Sequence, residues 1–415
     1  MRPRTRRRAH ESMARLMVRL LSRVAAIVLA LGACDGGEPE PTPLPPLVSE
    51  GAVRLELVAG TIALAEGARE AQAFVGPLPE ARADLLSLTV MVTGRPEGRL
   101  ALDVRDAAGR QLVEGASPEF SLNRVLAGRG IVTVQLPVAS GALPLIPPFE
   151  VTVVRRGSPL PAESLGLRVW AKYPHVPATV PRAQALPLHI IDAGGGVPPE
   201  RLAPALARAR AIWRTGGLEL VETKTSRLAE GEGPLFAPLE IDPALGSDSP
   251  QLQRLLQRLT PSGLDDDDGV PLFVVSDVRL GREGRLWAIT GGVPVPPVSG
   301  TARSGLVVSA ALFAQESRFA GQIIAHELGH ALGLFHTTEG PLQQEEAQAP
   351  TAIADGLDDT PVCPPRADTD RSGTLDAHEC EAHDASNLMF WATRRGAITL
   401  TPAQGDVARR SVLTR

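Results

Sequence analysis

An N-terminal all-β sandwich followed by a mixed α/β domain is the fold class that this sequence predicts, and three observations predict it. At 415 residues the chain is longer than one hydrophobic core usually organises, so two folded units are expected. Through residues 50–172 apolar side chains recur with period two between turn-like breaks, the pattern of antiparallel strands with one buried face. After Pro181 short apolar runs alternate with helical stripes, which places an α/β unit over residues 180–415. The hydrophobic content of 43% is sufficient for both cores. Aromatic residues make up only 3%, and Tyr173 is the single tyrosine, which narrows the side chains available to assist a reaction.

Residues 1–33 read as a signal peptide. Eight arginines, from Arg2 to Arg23, precede a short apolar run from Val24 to Leu31, and Gly32, Ala33 and Cys34 follow. The run is well short of the about 20 residues that cross a bilayer. Leu31-Gly32-Ala33-Cys34 resembles a bacterial lipobox, which implies that Cys34 is lipidated, becomes the mature N-terminus and anchors an exported protein to a membrane of the cell envelope. Residues 34–49 are rich in proline, which has no amide to donate, so they form a semi-extended tether. Loss of the leader removes eight arginines and one glutamate from 42 basic and 47 acidic side chains, leaving 34 and 46, a net charge of −12 with His neutral. Such a surface repels polyanions, so nucleic acid is excluded as a partner, and the membrane is held through lipid rather than charge.

In the β half the strand runs are Leu100, Leu102 and Val104; Val132, Val134 and Leu136; Phe149, Val151 and Val153; and Leu165, Leu167 and Val169. Asp106-Ala107-Ala108-Gly109 is one of the turns between them. No chemical constellation falls here, so a spacer or binding module is expected, with a latency pro-segment as the alternative. Cys34 is the only thiol before the second half, which gives no support to a cysteine switch.

The second half begins with a strand from Leu186 to Ile191 and then Gly194-Gly195-Gly196. A helix follows with Leu202, Leu206, Ala209 and Trp213 on one face, and Gly216-Gly217 ends it. A strand near Leu218–Val221, a helix with Leu252, Leu255, Leu256 and Leu259, and a buried strand from Leu272 to Val275 come next. Asp265 to Asp268 are read as a solvated loop, because consecutive carboxylates repel and cannot all face one ion.

The chemistry is concentrated in His326-Glu327-Leu328-Gly329-His330-Ala331-Leu332-Gly333-Leu334-Phe335-His336. Two histidines four apart project from one helix face, where both imidazoles can bind one zinc ion, and Glu327 can reach a water on that ion. Gly333 ends the helix in a left-handed conformation, so that His336 returns as third ligand. Three protein ligands leave a position open, the arrangement of a catalytic zinc site. Three of the chain's eight histidines fall within these eleven positions, which an incidental amphipathic helix would have to explain.

With these residues in place the second half resembles a metzincin, of the pappalysin-like (cytophagalysin-like) branch. Asp355-Gly-Leu-Asp-Asp-Thr-Pro-Val-Cys363 resembles that family's Asp-Thr-Pro segment, Asn387-Leu388-Met389 its Met-turn, and Leu400-Thr401-Pro402-Ala403-Gln404 its terminal segment. Trp287-Ala288 and Ser304 to Ser309 sit where its substrate-flanking edge strand falls. The resemblance covers roughly residues 180–415 and is strongest from 285 onward. It implies a metzincin-type catalytic domain, with Met389 as the hydrophobic floor beneath the zinc. One departure is that many relatives carry a tyrosine where this chain has Trp391, so oxyanion stabilisation is expected to rest on zinc and backbone amides.

Asp368, Asp370, Ser372, Thr374, Asp376 and Glu379 fall at positions one, three, five, seven, nine and twelve of an EF-hand-type loop, residues 368–379, with Gly373 at the turn. A structural calcium ion is expected there. Pro364 and Pro365 preclude a regular entering helix, so the loop stands alone. Cys363 and Cys380 bracket it, and in an exported protein they most simply form a disulfide.

These readings converge on a membrane-anchored zinc endopeptidase that hydrolyses extracytoplasmic proteins or peptides, with Glu327 as general base. The alternatives are a catalytically silent, calcium-dependent surface adhesin and a structural envelope protein. The first is disfavoured by the intact Glu327, and the second predicts a chain without stoichiometric zinc.

Overall fold

The alternating runs of the first half are strands. The computed structural model describes residues 54–75, 85–95, 98–113, 124–127, 130–136, 145–156, 161–173, 184–260, 269–282, 284–339, 355–396 and 398–415. The leader, Cys34, the tether and the four-aspartate run lie outside the described residues. Nine strands come first: β1 (Arg54–Leu64), β2 (Glu70–Val75), β3 (Ser87–Thr93), β4 (Arg99–Arg105), β5 (Gln111–Val113), β6 (Arg124–Ala127), β7 (Ile131–Leu136), β8 (Phe149–Arg156) and β9 (Glu163–Tyr173). They pair antiparallel in two sheets, ordered β1-β9-β3-β7-β6 and β2-β8-β4-β5. Period two decides what each face does. Val90, Val134 and Val169 of the first sheet join Leu102, Val104, Phe149 and Val151 of the second in one core cluster. Met91, Ile131 and Trp170, on alternate positions, pack instead with Val298 and Val412 of the second half.

The second half is mixed α/β. Its main sheet runs β11 (Leu218–Arg227), β10 (Gln184–Asp192), β13 (Val270–Val275), β17 (Leu306–Ser309), β16 (Ala288–Thr290), parallel except for the antiparallel edge strand β16. Leu186, Leu188, Leu272, Val274, Leu306 and Val308 face α1 (Pro199–Thr215) and α3 (Ser317–Ala331). The intervening Ile191, Phe273, Val275 and Val307 pack on the other side against α2 (Pro250–Leu256) and Leu239 and Ile241 of β12 (Leu239–Ile241). Strand β12 forms a small sheet with β14 (Val278–Leu280) and β15 (Gly284–Leu286). Sheet faces that are both covered need apolar residues at every position, which is why β13 is buried throughout.

Two expectations shift. Leu259 lies beyond the end of α2, and the run from Ser304 is not the edge of the sheet, because β17 sits between β13 and β16. The edge belongs to β16, which begins at Ala288, one of the residues that the resemblance placed there.

Helices α1 and α3 cross closely. A Cβ on Gly321 would collide with the Ala205 carbonyl and the Arg208 side chain, and Trp213 Nε1 donates to the Ala325 carbonyl at 3.2 Å. The C-terminal helix α4 (Pro402–Arg410) opens with a capping box between Thr401 and Gln404. The Asp359 carboxylate adds to it, accepting from Ala403 N and Thr401 Oγ1 at 2.9 Å each.

Candidate metal centre

Helix α3 carries His326 and His330 one turn apart, and its C-terminus decides where the chain goes next. Gly333 adopts φ 97°, its amide bonds the His330 carbonyl, and the Leu334 amide bonds the Gly329 carbonyl, each at 2.9 Å. These two bonds are a Schellman motif, which requires a residue without a Cβ penalty at that position. The chain then returns along the helix end and brings His336 back.

The three imidazoles meet. Nε2 of His336 lies 3.1 Å from Nε2 of His330 and 3.3 Å from Nε2 of His326. Each Nδ1 faces an oxygen: the Leu388 carbonyl for His326 at 2.7 Å, the Leu334 carbonyl for His330 at 2.8 Å, and the Glu339 carboxylate for His336 at 3.0 and 3.1 Å. A carbonyl can only accept, so Nδ1 of His326 and His330 carries the proton and Nε2 presents a lone pair. Burial, then the neighbouring His336, pushes the pKa of His326 down to about 3, and the same causes hold His330 well below the imidazole range. Neutral rings with converging lone pairs are the donor set that zinc takes, and each ring has the outer hydrogen bond that orients such ligands. The residues therefore fit a zinc ion.

Glu327 projects beside this cluster. Burial raises its carboxyl to about 7, opposed by a hydrogen bond from Thr290. Thr290 Oγ1, on the edge strand β16, lies 2.5 Å from Glu327 Oε2 and 3.0 Å from the Glu327 carbonyl. Met389 is fully buried, and its sulfur packs so near Gly329 that no Cβ would fit there. Asn387 Oδ1 accepts from the Met389 amide at 2.8 Å, and the Asn387 side-chain amide pairs reciprocally with that of Gln404. The Thr337 amide bonds the Met389 carbonyl at 2.9 Å, so the third-histidine loop and the Met389 turn are one hydrogen-bonded unit.

Trp391 packs beside the disulfide. Its Nε1 donates to the Leu375 carbonyl at 2.6 Å, and the ring packs on the cluster of Cys363, Leu375, Cys380, Ala385 and Phe390. Tyr173 is buried in the core of the N-terminal sheets. No phenol therefore stands at the centre, since the chain has no other tyrosine.

The second predicted site is gathered in part. Asp368, Asp370 and Glu379 bring carboxylate oxygens within 4.8 Å of one another, and Gly373 adopts φ 77° at the turn. Asp368 and Asp370 both accept from the Ser372 amide, at 3.0 and 2.8 Å, and Ser372 Oγ donates to the Thr374 carbonyl at 3.0 Å. The Asp376 amide bonds Glu379 Oε2 at 3.2 Å, while Asp376 Oδ1 accepts from the amides of His378 and Glu379 at 2.7 and 2.9 Å. Three carboxylates in one place repel unless a cation joins them, and oxygen donors suit calcium. Cys363 and Cys380 are joined in a disulfide, so they are not thiolate ligands despite the nearby Asp384.

Sequence reasoning missed Thr290, Glu339 and Gln404. Glu339 carried a signal, lying three residues after a predicted ligand, and Gln404 was named within the terminal segment but given no role. Thr290 and Gln404 reach their partners across 37 and 17 residues, which no local pattern reveals.

The described residues thus define a mixed α/β protein with a three-histidine candidate metal centre. No family model and no curated protein matches the chain. Among solved structures, metalloproteinase-II from Bacteroides fragilis is similar with a TM-score of 0.26 and 13% identity, over 44% of this chain and 50% of that one. The chain thus spans half the length of that metalloproteinase. A family two carbohydrate esterase from Cellvibrio japonicus gives a TM-score of 0.16 and 11% identity over 56% and 82% of the two chains. The virus-like particle of Macrobrachium rosenbergii extra small virus gives 0.14 and 12% over 34% and 95%. All three likenesses are weak, and the functional reading rests on the centre's own geometry.

Proposed function

We propose that the protein is a zinc-dependent endopeptidase, on the observation that three tautomer-fixed histidine nitrogens converge beside the Glu327 carboxylate. His326, His330 and His336 would hold the ion. When bound, zinc supplies Lewis-acid polarisation of a scissile carbonyl and acidifies water at the site. Glu327 accepts a proton from the attacking water and returns it to the leaving amine, the role of a carboxylate that stands beside the metal ligands. Thr290 Oγ1 bonds Oε2 and so holds the Glu327 carboxylate in place. Met389 supports the helix from below, and the metzincin resemblance of the sequence agrees with this division of roles.

The same reading extends outward. The two N-terminal sheets and their common core support a β-sandwich, and residues 180–415 a metzincin-type catalytic domain. A structural calcium ion at Asp368, Asp370 and Glu379 stiffens the segment leading to Met389. Lipidated Cys34 anchors the chain in the cell envelope, where protein or peptide is the substrate.

The test is cleavage of a peptide library by purified protein, with and without chelator, beside a Glu327→Ala variant. Chelator is expected to abolish cleavage, and the variant to lose about 10²–10⁴-fold in rate while keeping zinc. Cleavage by the variant at the parental rate would remove Glu327 from the mechanism. A zinc-replete parent that cuts no peptide favours the adhesin instead.

A further inference from the structure

The three candidate ligands are not held alike. His326 and His330 ride on α3, and their rings are fixed by main-chain carbonyls, one in the Met389 turn and one in the helix's own C-terminal turn. Both carbonyls belong to buried residues, Leu388 and Leu334. His336 is different. It lies beyond the helix end, and its Nδ1 bonds a side chain, Glu339, whose two carboxylate oxygens stand 3.0 and 3.1 Å away. That carboxylate is half exposed, with a side-chain exposure of 50% against 23% for the imidazole.

We infer that Glu339 is a positioning residue for the metal centre, acting through His336. This rests on the zinc reading. A carboxylate accepts the Nδ1–H more strongly than a carbonyl does, so it fixes the tautomer that leaves Nε2 free and makes the ring a more basic donor. It also pins the one ligand ring whose segment the helix does not hold. His336 is accordingly the ligand whose orientation a single side-chain change can loosen, whereas the other two depend on backbone that no substitution removes.

The experiment is competitive titration of zinc against a chromophoric chelator, on the full mature chain, for the parent, Glu339→Ala and Glu339→Gln. The zinc-free unfolding midpoint is measured alongside. Glu339→Ala is expected to weaken zinc binding about 10–100-fold, the usual effect of removing such a partner. Glu339→Gln, which still offers one acceptor, is expected to lose less, and both zinc-free midpoints are expected to match the parent. Cobalt substituted for zinc gives a second readout, because a displaced His336 changes the ligand-field bands even where affinity is little altered. Glu339→Ala with parental zinc affinity and a parental cobalt spectrum overturns the inference. So does a zinc-free midpoint that falls with the affinity, since that marks a general packing role. A parent that binds no zinc overturns the zinc reading itself, and this inference with it.

Discussion

At the scale of single residues, most of the candidate centre's chemistry is local and some is not. The histidines lie within eleven positions, so helix periodicity and one glycine were enough to anticipate their meeting. The hydroxyl on Glu327 comes from Thr290 on a three-residue edge strand, and nothing local in the sequence announces it. Asp384 is a similar case. It is buried to 2% exposure, Thr338 Oγ1 donates to Oδ2 at 2.7 Å, and Oδ1 has no hydrogen-bond partner among the described residues. Burial therefore raises its carboxyl above the ordinary 3.8. The folded chain then holds a proton that the unfolded chain releases, so stability is full below about 3.8, falls as pH rises through the folded value, and is level above it. Asp384→Asn is expected to unfold at a higher temperature than the parent near pH 7, with the difference vanishing towards pH 4. Thermal unfolding across that range checks this, and an Asn variant that is less stable at neutral pH would show that the ionised carboxylate is held by a partner.

At the scale of elements, the described residues between His336 and α4 are tied together by side chains. Thr338 Oγ1 accepts from the Cys363 amide at 2.9 Å, Cys363 is bonded to Cys380, and the Leu375 carbonyl takes the Trp391 indole. The disulfide pairing was legible because only two cysteines fall in this half of the sequence, which leaves a single pairing. The place of Trp391 was not, because the resemblance marked it only as a departure from a tyrosine in relatives and gave the indole no partner. Its indole is the apolar cover of the disulfide cluster. With a sequence separation of 17 between the cysteines, replacing both by serine is expected to cost about 2–4 kcal/mol of unfolding free energy. It should also weaken calcium binding at 368–379, since the bridge closes that loop. Denaturant unfolding and calcium titration of the double variant check both, and unchanged values in each would leave the bridge without a structural role.

At the scale of the whole molecule, residues 409–415 join the two halves, beside the packing of Val298 on the first sheet. Lys172, fully buried at the end of β9, directs Nζ at the carbonyls of Arg409, Ser411 and Thr414, Thr414 Oγ1 and Gln184 Oε1, all at 2.6–2.8 Å. Burial, then Arg410 and Arg409, pushes its pKa well down, while these oxygens require it to donate. Ser87 Oγ and Arg410 Nη1 add bonds to the Arg410 and Leu86 carbonyls at 2.6 and 2.7 Å. Through α4 and Gln404 the same segment reaches Asn387 and the Met389 turn. Composition and periodicity gave the two halves but not this joint, because a lysine at the end of a strand reads as a surface residue. Lys172→Met is expected to lower the unfolding free energy by about 3 kcal/mol, the scale of hydrogen bonds from one charged group. Parental stability in that variant would mean that the joint carries no weight. The central claim is that three imidazoles hold one catalytic metal ion, and it is tested most directly by metal analysis of the dialysed protein. One zinc per chain is predicted for the parent and for Glu327→Gln, with zinc lost from His330→Ala; a parent without zinc, or a His330→Ala chain that retains it, contradicts the account.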